Sequence, residues 1–304
     1  MSRLLQLLGE LAFTLWAVGT LVFLMLHLVP GDPVAVMLGE GANAVDQAAL
    51  RAQLGLDQPL WMQYVHWWGN LLQGDLGRSL FWHQPVAALI GERLVYTVQL
   101  AVLALGFALL LALPLGVWAA LHAGRWPDSL AMGVSLLGVS IPNFWLGPVL
   151  ILFFSLWLGW LPVSGVQAPL AWVLPTLTLG TALAAILTRM VRASLLEVLH
   201  EDYLRTARAK GLPQRVVIWR HALGNALLPV VTVLGLQLGT LLGGAVITEV
   251  VFDWPGLGQL LVESIQRRDY PVVQGVMLVV TAAYVLVNAL TEWLYTRLDP
   301  RVRP

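Results

Sequence analysis

The sequence predicts an all-α membrane protein with six transmembrane helices and a polar segment between the first two. Three observations carry that expectation. Of 304 residues, 58% are hydrophobic and 11% charged, with a mean hydropathy of +0.77, whereas soluble domains run at about 25% charged. The apolar residues gather into runs of bilayer length, for which roughly 20 residues suffice. The basic residues, finally, are shared unequally between alternate connecting segments, as orientation in a membrane requires.

The first apolar run covers residues 11–28 and follows Arg3. A signal peptide is the competing reading. No small-residue cleavage site closes the run, however, and Val29-Pro30-Gly31-Asp32-Pro33 comes next. A retained helix at residues 9–29, after an inner segment at 1–8, is the expectation. Residues 30–94 are too charged for hydrocarbon and contain helical stretches of their own, for example around 60–72. There Trp61, Tyr64, Trp67 and Trp68 suit either a water–lipid boundary or packing against the ends of the spans.

Runs at 95–121, 130–160, 170–191, 226–252 and 272–295 supply the other five spans. Pro114, Pro142, Pro148, Pro175 and Pro229 lie within or beside them. Membrane helices tolerate such prolines and kink there, so packing geometry and gating hinges both account for them. The run at 130–160 exceeds one span, and Ile141-Pro142-Asn143-Phe144-Trp145 marks an expected irregularity. With both termini inside, twelve of the 17 Lys and Arg residues fall on the inner face and five outside.

Composition also excludes functions. Zero net charge leaves no nucleic-acid footprint. The absence of cysteine removes disulfides and thiolate ligands. Lys210, the one lysine, precedes Gly211, so the chain has no Gly-Lys-Ser/Thr phosphate loop and is not expected to be an enzyme. Any ATP-driven work must come from a partner. The six histidines lack close ligand spacing, so neither a metal site nor a cofactor is expected. An intramembrane serine hydrolase would need a mid-span histidine to serve Ser164-Gly165, and none is present. A self-sufficient secondary transporter or channel would want mid-membrane charges and inverted repeats, which the sequence does not display.

The loop at 192–225 is the most informative stretch. Leu196, Leu199, Tyr203 and Ala207 recur at helical spacing, with Glu197, Glu201 and Arg205 opposite them. Glu201 and Arg205 are spaced for an i,i+4 pair. Gly211 suits the residue after a helix end, and Pro213 the first turn of a second helix bearing Val216, Val217, His221 and Leu223. Such a helix-turn-helix serves either as a solvated basic loop or as a knob for a partner's groove.

Thr206-Ala207-Arg208-Ala209-Lys210-Gly211 follows Glu201-Asp202-Tyr203 and precedes His221-Ala222-Leu223 and Asn225-Ala226-Leu227-Leu228-Pro229. This stretch resembles the EAA coupling loop of binding-protein-dependent ABC importer permeases. More narrowly, it resembles the B-type permease of the dipeptide, oligopeptide and nickel branch. Val29-Pro30-Gly31-Asp32-Pro33, Leu54-Gly55-Leu56-Asp57-Gln58-Pro59, Gly74-Asp75-Leu76-Gly77 and Ser140-Ile141-Pro142-Asn143-Phe144-Trp145 agree with that branch. So do Phe252-Asp253-Trp254-Pro255-Gly256-Leu257-Gly258, Arg268-Asp269-Tyr270-Pro271-Val272 and Leu298-Asp299-Pro300-Arg301. Arg205-Thr206-Ala207 replaces the general Glu-Ala-Ala, a variant of the peptide branch, so Arg205 inherits no role from a glutamate.

The resemblance implies the type I importer permease fold, with a transmembrane domain at 95–295 and a cytoplasmic tail at 296–304. It implies an inner-membrane location, a homologous C-type second permease and two P-loop ATPase subunits. A periplasmic substrate-binding protein completes the partners, and dipeptides or short oligopeptides are the expected cargo. Glutathione, nickel and metal chelates stay open, because those systems share the same motifs.

Glu201, Asp202, Arg205, Thr206, Ala207, Arg208, Ala209, Lys210, Gly211 and His221 would contact the ATPases. Glu249, near the outer end of the fifth span, reads as a substrate or gate residue or as an interfacial helix cap. Asp253-Trp254-Pro255-Gly256-Leu257-Gly258 reads as a turn with permissive glycines, assigned by the resemblance to the outer gate. Gly235, Gly239 and Gly243 share one face of the fifth span, for close helix packing or for lining the path.

Overall fold

The computed structural model describes residues 2–28, 34, 43–53 and 55–298. The motif at 29–33 and the tail from Asp299 lie outside them. Helices make up the described chain, with one isolated bridge between Arg78 and Pro85. They are α1 (Ser2–Leu28), α2 (Ala44–Gln53), α3 (Leu60–Leu72), α4 (Val86–Leu121), α5 (Trp126–Ser140) and α6 (Asn143–Leu150). After these come α7 (Val173–Leu199), α8 (Asp202–Ala209), α9 (Leu223–Val251), α10 (Leu257–Gln266) and α11 (Tyr270–Leu298). Ile151–Trp157 extends α6 as a π-helical turn, and Gln214–Val216 with a second π-helical turn, Val217–Ala222, leads into α9.

A helix or helix pair occupies each of the six predicted apolar runs. Among the described residues, Val86–Leu121, Gln214–Gly239 and Tyr270–Thr291 are individually long and apolar enough to cross a membrane. The stretch Gly9–Met25 of α1 is apolar but shorter. The expected irregularity at Ile141-Pro142 is a 101° bend between α5 and the helix that follows, so the run is a broken span or a re-entrant pair. Pro142 lacks an N–H and pushes Ile141 into an extended conformation (φ −86°, ψ 115°), which ends α5. α2 falls in the segment where helical stretches are expected, whereas α10 has no counterpart in the sequence reading.

The chain divides into two compact units, one comprising Met1–Tyr96 and Pro255–Val285, the other Thr97–Trp254 and Leu286–Pro304. In the first, Val86, Leu89 and Ile90 pack with Leu257, Leu260, Val272 and Val276. This burial explains why α4 starts nine residues before the predicted span at 95. The fully buried Asp269 ties the loop before α4 to the start of α11. Its carboxylate accepts from Ser79 Oγ at 2.5 Å and from the amides of Leu80 and Phe81 at 3.1 Å each. The Arg267 guanidinium lies 3.7 Å above the Phe81 ring, a favourable cation–π placement.

In the second unit, Leu100, Ala104, Ala108 and Ala112 form a fully buried stripe of α4, and α7 packs against α5, α6 and α9. Buried hydroxyls bond within their own helices: Thr178 to the Leu174 carbonyl at 2.8 Å and Thr188 to that of Ala184 at 2.7 Å. Self-satisfaction of this kind suits a segment with no water to turn to. Leu110, 76% exposed, and Leu137, 63% exposed, present apolar surface outward, as lipid contact requires. Gly235 is buried where a side chain would collide with Thr291 of α11, which supports packing as the purpose of that glycine.

Asp269→Ala leaves two loop amides and the Ser79 hydroxyl without their acceptor. Its expected cost is roughly 3 kcal/mol, read as a lower unfolding midpoint of the detergent-solubilised protein. An unchanged midpoint would contradict the role assigned to the carboxylate.

Candidate functional site

The coupling segment forms the predicted helix-turn-helix, but its first helix is split. α7 runs past residue 191 to Leu199, and Glu201 is extended (φ −67°, ψ 143°), so α8 begins afresh at Asp202. The Glu201 carbonyl accepts the amides of Leu204 and Arg205. This break changes the buried face: Leu204 and Ala207 point inward, while Tyr203 is 39% exposed. The predicted apolar row through Tyr203 is corrected accordingly. Arg205 pairs with Asp202 at 3.4 Å rather than with Glu201, because Glu201 stands outside the helix. Both partners are open to solvent, so the pair contributes little.

Gly211 ends α8 as expected. Its φ is +77°, a region costly for residues with a Cβ. Its amide bonds to the Arg208 carbonyl at 3.0 Å and that of Leu212 to the Ala207 carbonyl at 3.4 Å, the paired bonds of a Schellman motif. Pro213 stands at the N-cap of the next helix, one residue before its expected place. The Tyr203 hydroxyl donates to the His221 carbonyl at 3.2 Å and accepts from Asn225 Nδ2 at 2.8 Å, tying α8 to the start of α9. Glu201, Asp202, Arg205, Thr206, Arg208, Ala209, Lys210 and Gly211 are left exposed along the outer side. The result is a charged helical knob closed at its C-terminal end, with His221 half-buried at its base.

The gate candidates lie at the far end of α9. Glu249 is fully buried, and Thr97 Oγ1 donates to its Oε1 at 2.7 Å. The helix ends in a second Schellman motif: Trp254 N bonds to the Glu249 carbonyl at 2.8 Å and Asp253 N to that of Val250 at 3.4 Å. Asp253 takes the left-handed position (φ +49°), and Trp254 is 2% exposed. The expectation that Gly256 and Gly258 supply the permissive backbone is therefore corrected. Gly256 is extended at φ −97°, and Gly258 is buried within α10. Asp tolerates the left-handed region better than most side chains. Gly239 is buried in α9, while the surroundings of Gly243 lie outside the described residues.

One element of the site escaped sequence reading. Asp128 accepts from Arg192 Nε at 2.5 Å and from its second guanidinium nitrogen at 2.7 Å, and from the Gly124 amide at 2.9 Å. The pair joins the first turn of α5 to α7, ten residues before α8. Pro127 and Asp128 announce a helix start, but nothing local pairs Asp128 with a residue 64 positions away.

A chain of long apolar helices with an exposed helical knob on one connecting segment is the architecture of a membrane protein. Residues 112–304 match the family described as the binding-protein-dependent transport system inner membrane component, and residues 1–101 match its N-terminal membrane component. The chain belongs to this family. It is 46% identical over 290 residues to the glutathione transport system permease protein GsiC of Escherichia coli K12, covering 95% of each chain. The GsiC of Shigella boydii serotype 4 is 45% identical over the same length, again covering 95% of each.

Among solved structures, the inward-facing MetNI methionine ABC transporter aligns at 21% identity and TM-score 0.59, over 69% of this chain and 96% of that one. An amino acid ABC transporter crystallised with histidines aligns at 17% and 0.52, over 71% and 95%. At these identities the likeness speaks for the fold, that of type I importer permeases. The protein is thus a multi-pass permease of a binding-protein-dependent ABC importer and not an enzyme, since separate ATPase subunits hydrolyse the ATP. The secondary-transporter and hydrolase readings fall with this assignment.

Two outcomes follow. Gly211→Pro removes the bonded amide and forbids φ +77°, so transport should be abolished while the chain still inserts, as membrane fractionation beside an uptake assay would show. Asp128→Ala removes the acceptor of the half-buried Arg192 guanidinium and of the Gly124 amide, at a cost of about 1–2 kcal/mol. Thermal unfolding in detergent should register the loss, and D128E should recover part of it.

Proposed function

We propose that this permease carries short peptides across the inner membrane, pairing with a homologous second permease and moving by alternating access. Both termini would face the cytoplasm, with residues 95–295 as the transmembrane domain and 192–225 as the cytoplasmic coupling loop. Two P-loop ATPases would each grip a coupling helix, here α8 with Glu201, Lys210, Gly211 and His221 around it. Their closure would rotate the helix bundle and open the path toward a periplasmic binding protein. The observation that carries this reading is the exposed helical knob closed by Gly211, on a chain similar to proteins named as permeases of a glutathione transport system.

Dipeptides and short oligopeptides are the first reading for the cargo. Glutathione, a tripeptide and the solute in the relatives' names, is the second. Gly239, Gly243, Glu249, Asp253 and Trp254 would border the path or its outer gate. In that role the Glu249 carboxylate would receive a peptide ammonium group once the Thr97 bond opens.

The test is uptake into proteoliposomes holding the full assembly, with labelled dipeptide, glutathione and a nickel chelate compared side by side. Peptide uptake that depends on ATP and on the binding protein supports the proposal, and uptake of the chelate alone would sink it. Glu249→Gln keeps the shape and loses the charge. The apparent KM for peptides with a free N-terminus should rise about tenfold, while blocked peptides should change little.

A further inference from the structure

The first turns of the span Gln214–Gly239 carry a feature that the coupling role does not use. Arg215, Val216, Trp219 and Arg220 line a surface cleft of about 660 Å³. Both arginines are exposed, and Trp219 is 56% exposed. Neither guanidinium joins an ion pair among the described residues. No carboxylate lines the cleft, so its charge is wholly positive.

The local winding brings the two arginines together. In an α-helix, residues five apart diverge by about 140° around the axis. The chain from Arg215 to Arg220 instead enters the wider π-helical turn Val217–Ala222, which turns less per residue, and both arginines line the one cleft. Trp219 lies between them. A tryptophan flanked by two arginines where a span begins has the composition of a water–lipid boundary, and basic pockets at span ends attract anionic headgroups.

We propose that Arg215, Trp219 and Arg220 form a binding site for the phosphate headgroup of an anionic phospholipid. The guanidiniums would hold the phosphate oxygens, and the indole would lie along the glycerol and upper acyl chain. This goes beyond the import reading and depends only on Gln214–Gly239 entering the bilayer there.

The test uses the purified permease with its partner subunits in mild detergent. Native mass spectrometry would follow the binding of phosphatidylglycerol and, as a control, phosphatidylcholine. Phosphatidylglycerol should bind selectively, R215Q/R220Q should weaken it about tenfold or more, and R215K/R220K should retain most of it. All variants should share one unfolding midpoint in lipid-free detergent. Should the double variant not fold, single R215Q and R220Q carry the same comparison. Equal binding of both lipids, or unchanged binding in the glutamine variants, overturns the proposal. Displacement of the lipid by equimolar inorganic phosphate would assign the site to free phosphate instead. Loss of the ATPase subunits from R215Q/R220Q with lipid binding intact would make the cleft a protein contact.

Discussion

Asp128 and Arg192 form a two-point ion pair in which the carboxylate is buried and the guanidinium half-buried, and the hold of α5 on α7 depends on it. A buried charge is tolerable only when matched, and the bidentate geometry with a third bond from the Gly124 amide matches this one. Because Arg192 belongs to α7, the pair fixes the end of the helix from which α8 hangs. The pair thereby joins the last turns of α7 to the first turn of α5. The Tyr203–His221–Asn225 bonds provide a second attachment, to the base of α9.

Helix ends matter in this molecule as much as helix faces. Two Schellman motifs, at Gly211 and at Asp253, close α8 and α9. At Gly211 the residue type and the geometry agree. At Asp253 they conflict, since a side chain occupies the left-handed region beside the buried Trp254 and the fully buried Glu249. Strained backbone of that kind concentrates where proteins switch conformation. The conflict sets the Asp253 end of α9 apart from the Gly211 end of α8.

Much of the architecture was legible beforehand because its causes are local. Hydropathy runs of bilayer length marked six helical regions, and α3 coincides with the stretch read as helix at 60–72. Pro142 announced the break that the structure shows as a 101° bend. The site was legible in part: Gly211 was placed at the helix end for the right reason. The buried face of α8 was not, because the interruption at His200 and Glu201 has no strong breaker residue to signal it.

By itself the sequence determined membrane partition, the helical class, the absence of a phosphate loop and the position of the coupling turn. Each of these follows from composition or from residues within one turn of one another. Only the tertiary structure decided that Asp128 meets Arg192, that Asp269 holds the loop 190 residues before it, and that Thr97 meets Glu249. It also decided that Arg215 and Arg220 line one cleft. A carboxylate finds its donors across space, and a helix takes its register from what it packs against. Neither leaves a periodic trace along the chain.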